Sequence, residues 1–260
     1  MISKTRLKNI LSLKYKKFRN EQNLFLIEGF RLCQEALQSD FKVETLLINP
    51  DTLSPQKSDK IVQLARQKQI EIIEIQQIEV KQLADTINSQ GLFCVVNQKK
   101  YELAPILKED IQVIVIIDDG QDPGNVGTII RTCDWFGVDV ILLSPMTVEL
   151  FNPKVIRSTM GSIFHLPIIP DIDLNILLPQ LQKLGYHIFG SDIEGKFNYN
   201  KIEYRRPAAL VFGNENIGIK SDLFKYFDKT VKIPSYGKAE SLNMATAAAI
   251  IISQAVNSTD

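Results

Sequence analysis

Three glycine-containing loops, each directly after a short strand-like segment, constrain the fold of this chain more than any other feature. These segments cover residues 112–117, 208–212 and 229–233; the first two are apolar runs, and the first is almost continuously β-branched. Such runs are typical of parallel strands that are buried on both faces. Loops at the carboxyl ends of parallel strands are where an open α/β sheet binds its ligand. The sequence therefore predicts an α/β fold with a ligand site at one edge of a parallel sheet.

The order of strand and helix patterns predicts two domains. Residues 1–97 alternate between the two patterns and form a small N-terminal α/β domain. Residues 98–110 are polar, contain a proline and read as a linker. Residues 111–260 alternate again, which favours a parallel sheet with helices on both faces.

Composition limits the classes of protein to which the chain can belong. It is 45% hydrophobic and 23% charged, as in ordinary globular proteins. No apolar run is long enough to span a bilayer and no signal peptide is visible, so we expect a cytoplasmic protein without a membrane partner. The three cysteines are far apart and form no C-x-x-C pair, which favours neither a metal site nor a disulfide.

Charge is balanced over the chain but not along it. Formal net charge is zero, whereas residues 1–20 hold seven basic side chains and no acid. A solvated first helix and a contact with a polyanion such as RNA explain this segment equally well. The basic residues are Lys4, Arg6, Lys8, Lys14, Lys16, Lys17 and Arg19.

The first loop reads Pro-Gly-Asn-Val-Gly over residues 123–127 and continues to Arg131. We expect Asn125 to cap the helix that follows. A capped helix with a surface arginine is the plainer interpretation. The loop lacks both the Gly-Lys-Ser/Thr of a Walker motif and a G-x-G-x-x-G turn, so a phosphate or dinucleotide loop is not indicated.

The second and third loops carry further polar candidates. Gly213 follows a buried strand and allows a close backbone approach. Glu215 either accepts hydrogen bonds from a ligand or an arginine, or is solvated. Ser241 is expected to cap the last helix, which would leave Asn243 inside the first helical turn, where asparagine is unfavourable. Neither a Ser-His-Asp set nor a histidine–cysteine cluster occurs.

Together, these motifs resemble those of the SpoU branch, or TrmH family, of the SPOUT RNA methyltransferases. The resemblance covers roughly residues 112–256 and includes Arg131 and the stretches 122–127, 157–162, 213–218 and 233–243. Residues 25–31 are similar to the small L30e-like, substrate-binding domain that many of these enzymes carry.

The resemblance implies a methyltransferase that uses S-adenosyl-L-methionine to methylate the ribose 2′-hydroxyl of structured RNA. It also implies a C-terminal trefoil knot and a homodimer whose active site is completed across the interface. The implied cofactor contacts are Gly213, Ile233 and Leu242. The implied catalytic residues are Asn125, Arg131, Glu215, Ser241 and Asn243, with Arg131 either a base or a group that positions phosphate or hydroxyl. The expected RNA contacts are the seven basic residues near the N-terminus and Arg157.

The leading substrate is 23S ribosomal RNA, with transfer RNA as the alternative. A non-catalytic ribosome-assembly protein on the same fold is a second hypothesis, although it would have no need of all five polar residues. A Rossmann-type oxidoreductase is a third, and it lacks its glycine turn.

Overall fold

The computed structural model describes residues 2–108 and 110–257, which form two compact units. The N-terminal unit comprises the chain up to Lys99 together with Phe151–His165. The C-terminal unit comprises Lys100–Leu150 and the chain from Leu166 onward.

The α-helices are α1 (Lys4–Ser12), α2 (Lys16–Gln22), α3 (Phe30–Gln38), α4 (Pro55–Gln67), α5 (Gln77–Leu83), α6 (Leu103–Ile106), α7 (Pro123–Trp135), α8 (Pro153–Thr159), α9 (Leu174–Lys183) and α10 (Met244–Asn257). The strands are β1 (Leu24–Glu28), β2 (Val43–Ile48), β3 (Glu71–Glu74), β4 (Leu92–Asn97), β5 (Val113–Ile117), β6 (Val140–Leu143), β7 (Ile168–Ile169), β8 (His187–Ser191), β9 (Phe197–Asn198), β10 (Ala208–Phe212) and β11 (Lys229–Lys232).

The N-terminal unit is built on a mixed sheet in the order β1-β4-β2-β3. Strand β4 pairs antiparallel with both β1 and β2, and β2 pairs parallel with β3. The turn from β1 into α3 occurs at Gly29, whose φ of 98° is a conformation that other residues rarely adopt. One side of the sheet packs against α1 and α5 through a core that includes Ile10, Val80 and Phe93.

Residues 151–165 depart from the predicted domain boundaries, because they belong to the N-terminal unit. The ring of Phe151 lies 4.7 Å from that of Phe25 on β1, and the ring of Phe164 lies 6.4 Å from it. Phe164 also meets Phe41 edge to face at 5.0 Å. These buried aromatic side chains account for the insertion, and their partners are too far away in sequence for periodicity to reveal.

The predicted linker also differs from the structure. Its middle forms the short helix α6, and Ile106 is buried in the core of the C-terminal unit. Tyr101, Leu103 and Leu107 pack against the same core. Polar residues surround these apolar positions in the sequence, so the packing of this segment on the core was not predicted.

The C-terminal unit confirms the predicted parallel sheet. Among the described residues its strands run in the order β7-β6-β5-β10-β8-β11-β9, and each neighbouring pair is parallel. Strands β5 and β10 are buried at every position. Their last residues, Ile117 and Phe212, are direct partners, so the loops that follow them start side by side.

Within the described ranges, no helix is both long and apolar enough to cross a membrane.

Candidate active site

The first two loops are tied together where β5 and β10 end. The amide of Asp118 donates to the carbonyl of Phe212 over 2.8 Å. One residue further along, Asn214 Nδ2 donates to the carbonyl of Asp119 over 2.8 Å. A side chain of the second loop therefore fixes the backbone of the first.

The second loop is closed by its own hydrogen bonds. The backbone groups of Asn214 and Gly218 exchange two bonds of 3.0 and 2.9 Å. Asn214 Oδ1 accepts from the amides of Asn216 and Ile217 at 2.8 and 3.2 Å. Asn214 therefore organises this loop. It was not among the predicted site residues, although an asparagine directly after a glycine at a strand end is a turn signal.

Gly213 is required by the loop itself. A Cβ at this position would lie 2.2 Å from the amide nitrogen of Ile219 and 2.3 Å from the carbonyl carbon of Gly218. The close backbone approach that the sequence predicted is thus made by the same loop. Gly213 also lines the cleft described below.

The caps of the two helices at the site were predicted wrongly. Asp122 caps α7, since its Oδ1 accepts from the amide of Asn125 over 2.8 Å. Asn243 caps α10, since its Oδ1 accepts from the amides of Ala245 and Thr246 at 2.9 and 3.3 Å. Both helices start at a different residue than expected. The side chain of Asn125 therefore does not cap α7 and can make other hydrogen bonds.

Three of the predicted catalytic residues form one hydrogen-bonded chain. Asn243 Nδ2 donates to Asn125 Oδ1 over 2.8 Å. Asn125 Nδ2 donates to Glu215 Oε1 over 2.9 Å. The two amides are thereby fixed in orientation, and residues from all three loops are joined.

The other two predicted catalytic residues lie outside this chain. Ser241 is exposed and lines the cleft. Arg131 is exposed on α7, and within the described parts of the chain its guanidinium makes no hydrogen bond or ion pair. It lies six positions after Asn125, so the two side chains leave the helix about 120° apart.

A cleft of about 380 Å³ opens between the second loop, the third loop and residues 191–194, which follow β8. Its lining includes Asp192, Glu194 and Glu215, and none of its described lining residues is lysine or arginine. A neighbouring cleft of about 340 Å³ shares Leu242 with it and adds Ile233. Apolar walls with carboxylates and without basic groups favour a ligand with an apolar body and positive charge, and disfavour phosphates.

Asp118 is a further residue that sequence reasoning undervalued. It directly follows β5, is only 1% exposed, and its Oδ2 accepts from the amide of Lys220 over 3.3 Å. Lys220 Nζ lies 3.6 Å from its other oxygen, an electrostatic contact that is too long for a hydrogen bond. Asp118 thus ties the end of the second loop to β5. Acidic residues at strand ends are common, which is why this one carried no signal.

Cys133 on α7 has no role in the chemistry. Its side chain is fully buried among the apolar residues of the helix. Burial raises the pKa of the Cys133 thiol well above its usual value. The thiol stays protonated, as expected for a small packing residue.

The predicted RNA contacts divide into three groups: one buried residue, four exposed lysines and three residues held in ion pairs. Arg19 is 3% exposed and donates to the carbonyls of Leu13 and Lys14, so its prediction as an RNA contact has to be corrected. Four of the remaining residues, Lys4, Lys8, Lys16 and Lys17, are exposed.

Other basic residues of the N-terminal unit are held in ion pairs. Arg6 pairs with Glu71. Lys14 Nζ and Arg157 Nη1 share Asp85, at 3.4 and 3.1 Å. These side chains are partly exposed, but each is oriented by a carboxylate.

Comparison with known proteins places both parts of the chain. Residues 112–253 match the model of the SpoU rRNA methylase family, and residues 4–94 match that of the MRM3-like substrate-binding domain. The 23S rRNA (guanosine(2553)-2′-O)-methyltransferase RlmP of Bacillus subtilis is 33% identical over 95% of this chain and 94% of its own length.

Solved structures agree with this similarity. The SpoU methyltransferase AviRb from Streptomyces viridochromogenes, in complex with AdoMet, superposes with a TM-score of 0.87 at 25% identity, covering 98% of this chain and 97% of its own. An AdoMet-bound rRNA methyltransferase from Sinorhizobium meliloti gives 0.86 at 28% identity, covering 98% and 96%.

Proposed function

Because the chain belongs to the SpoU rRNA methylase family, we propose that it transfers a methyl group from S-adenosylmethionine to a ribose 2′-hydroxyl of 23S ribosomal RNA. The observation that carries this proposal is the hydrogen-bonded chain from Asn243 through Asn125 to Glu215, because Glu215 also lines a ligand-sized cleft.

The cleft fits S-adenosylmethionine in shape and charge. When bound, this cofactor supplies a methyl group that is already activated by a sulfonium, so the protein mainly has to align the reactants. Its sulfonium and ammonium groups are positive, which agrees with the acidic lining at Asp192, Glu194 and Glu215. Gly213, Ile233 and Leu242, the predicted cofactor contacts, line the two adjoining clefts.

The polar chain orients the groups that meet the ribose. Glu215 holds the amide of Asn125, and Asn243 holds its carbonyl, so that the rotation of Asn125 is restricted. Pre-oriented polar groups need little reorganisation when the ribose hydroxyl loses its proton. Ser241, exposed beside them, is a further hydrogen-bonding group for the ribose.

Arg131 is proposed to act on the ribose hydroxyl or its phosphate. A guanidinium rarely gives up a proton, so polarising the hydroxyl or holding phosphate is a physically easier role than accepting a proton. Arg131 projects away from the polar chain of its own subunit, and we propose that it reaches the cleft of a second copy.

The surface around Arg131 supports a homodimer. Trp135, one helical turn further along α7, is 84% exposed. The neighbouring helix α10 carries no charged residue in its fourteen positions, although Thr246 is exposed and Ile250 half-buried. A helix without charge on any face is typical of one that is covered on all sides. A second copy docked on α7 and α10 would cover it and bring Arg131 to the interface.

Three further parts of the proposal concern the substrate, the compartment and the topology. The N-terminal unit would bind RNA, as its MRM3-like match suggests. The described cysteines are buried and free, which suits the reducing cytoplasm. The trefoil knot implied by the family is compatible with the position of β10 between β5 and β8, and a traced crossing in an experimental structure would test it.

Methyl transfer tests the function directly. The purified protein is incubated with labelled S-adenosylmethionine and either 23S ribosomal RNA or transfer RNA, each lacking native modifications, and the product nucleosides are separated. A 2′-O-methylated nucleoside from 23S RNA is the expected result. Label only in transfer RNA would change the substrate but keep the reaction, whereas bound cofactor without transfer to either RNA would favour a non-catalytic assembly protein.

A further inference from the structure

The N-terminal unit carries exposed aromatic rings among exposed lysines. We define the α1–α2 strip as Lys4, Lys8, Tyr15, Lys17 and Phe18. Tyr15 is 67% exposed and Phe18 is 38% exposed. Large apolar side chains that stay exposed side by side indicate an interaction surface more than a folding requirement.

The strip is continuous over the two helices. Lys4, Lys8 and Ser12 follow each other at four-residue spacing and therefore share one face of α1. Phe18 and Gln22 share a face of α2 for the same reason. Gln22 Nε2 donates to Ser12 Oγ over 3.1 Å, which joins the two faces.

The turn that presents Tyr15 is held rigidly. Buried Arg19 donates through Nη1 to the carbonyls of Leu13 and Lys14 at 2.8 and 2.9 Å, immediately before Tyr15. Among the described residues, neither the Tyr15 ring nor the Phe18 ring stacks on another aromatic ring. A platform that is fixed in place loses little entropy when a planar ligand stacks on it.

Positive charge accompanies the rings. Lys17 Nζ lies 5.9 Å from the centroid of the Phe18 ring and 3.9 Å from Glu21 Oε1. Lys4 and Lys8 continue the charge along α1, and no acidic residue occurs before Glu21. This charge favours a polyanion over an apolar protein partner.

We propose that the α1–α2 strip binds an unpaired segment of RNA, with bases stacked on Tyr15 and Phe18 and phosphates beside the lysines. Unpaired bases offer their faces to aromatic side chains, whereas a duplex keeps its bases stacked on each other. The strip would therefore direct the enzyme to RNA whose target lies near a loop or bulge. This inference rests on the proposed RNA function and adds a class of substrate structure to it.

Binding of two RNA probes tests the strip. One is a labelled hairpin RNA with a long adenosine loop, and the other is a full duplex with the same number of phosphates. Wild-type protein should bind the hairpin more tightly. Tyr15→Ala/Phe18→Ala should weaken hairpin binding by roughly a hundredfold and leave duplex binding unchanged, because two stacked bases are lost and each contributes about tenfold. Tyr15→Phe/Phe18→Tyr keeps both rings and should bind like wild type.

Further variants and outcomes separate stacking from charge. Lys4→Ala/Lys8→Ala should weaken the binding of both probes and reduce the salt dependence of that binding. Equal binding of the hairpin by the double alanine variant and the wild type would overturn the proposal, as would an equal loss on both probes or a wild type without preference. A matching thermal midpoint shows that the alanine variant folds.

The readout is independent of methyl transfer. If the wild type methylates RNA but the loss of both rings does not change hairpin binding, the proposed role of the strip is wrong and the proposed function stands. If the rings govern binding but no RNA is methylated, the strip stands and the catalytic assignment fails.

Discussion

Asn243 donates from Nδ2 to Asn125 Oδ1 across 2.8 Å, although 118 positions separate the two residues in the chain. The same side chain caps α10 through its Oδ1. One asparagine therefore starts the last helix and positions the amide that holds Glu215, and its two roles can be separated by mutation.

Asn243→Ser should keep the helix cap, because serine is a good capping residue. It should lose the hydrogen bond to Asn125, because the serine side chain has no amide group to donate. We expect the free energy of unfolding to stay within about 0.5 kcal/mol of wild type and methyl transfer to fall roughly tenfold. Asn243→Ala should lose both roles and unfold about 1 kcal/mol more easily. Urea unfolding and single-turnover methyl transfer measure the two effects. Full activity in the serine variant would show that this hydrogen bond does not orient the site.

Arg131→Ala should lower methyl transfer by roughly a hundredfold or more, while the free energy of unfolding stays within about 0.5 kcal/mol, because the side chain is exposed. Cofactor affinity, measured by calorimetry, should be unchanged. Thr128→Ala, one turn away on the same exposed face, is the matched control and should remain active. Turnover by the Arg131 variant at the wild-type rate would remove Arg131 from the reaction.

Gly213→Ala should destabilise the second loop and weaken cofactor binding together, because the added Cβ would meet backbone atoms of Gly218 and Ile219 that cannot move independently. Gly237→Ala is the matched control in the third loop, where a Cβ has no atom within 4 Å. Thermal unfolding and calorimetry of both variants check the contrast. A stable Gly213 variant with weakened cofactor binding would point to a direct clash with the ligand instead.

Trp135→Glu should convert a dimer into monomers at micromolar concentration, since a buried, unpaired carboxylate at an interface is costly. Methyl transfer should fall with it, because Arg131 lies one turn away. Ile176→Glu places the same charge on another exposed apolar position, 59% exposed on α9, and should leave the dimer intact. Sedimentation velocity distinguishes the species. A wild type that sediments as a monomer would refute the proposed dimer outright.

Glu71→Gln should lower stability at neutral pH by less than about 1 kcal/mol, because the pair with Arg6 is half exposed. The hydrogen bond from Arg6 lowers the pKa of the Glu71 carboxyl below its usual value. Its contribution is therefore complete above the unfolded-state pKa and is lost as pH falls through the lower folded-state pKa. Thermal midpoints of the variant and wild type should converge in acid. Glu21→Gln, at a longer and more exposed pair, should show no difference at any pH.

The buried strands were accessible from the sequence, whereas the helix caps were not. The run 208–212 is found as β10, since a short, buried, apolar segment has few alternatives. The starts of α7 and α10 were misjudged because Asp122 and Asn125, or Ser241 and Asn243, are all good capping residues. Which of the two residues caps each helix depends on the backbone conformation at the start of that helix.

The residues of the hydrogen-bonded chain could be predicted from the motif resemblance, but the hydrogen bonds between them could not. Asn125, Glu215 and Asn243 lie in different loops, and their contacts depend on the register between β5 and β10. The contact of buried Asp118 with exposed Lys220 gave no sequence signal for the same reason. Residues 151–165 were missed because aromatic packing, which has no period, places them in the N-terminal unit.

Because residues 151–165 belong to the N-terminal unit, they constrain when this unit can finish folding during synthesis. Phe25 is completely buried, and both Phe151 and Phe164 pack against its ring. A nascent chain that ends at residue 99 lacks these partners, so the first unit to be translated stays incomplete while the first strands of the second emerge. Domains that are contiguous in sequence fold one after the other as they leave the ribosome. Here the two units have to mature together, and a protein fragment cut at the apparent boundary would expose the aromatic cluster that the intact chain conceals.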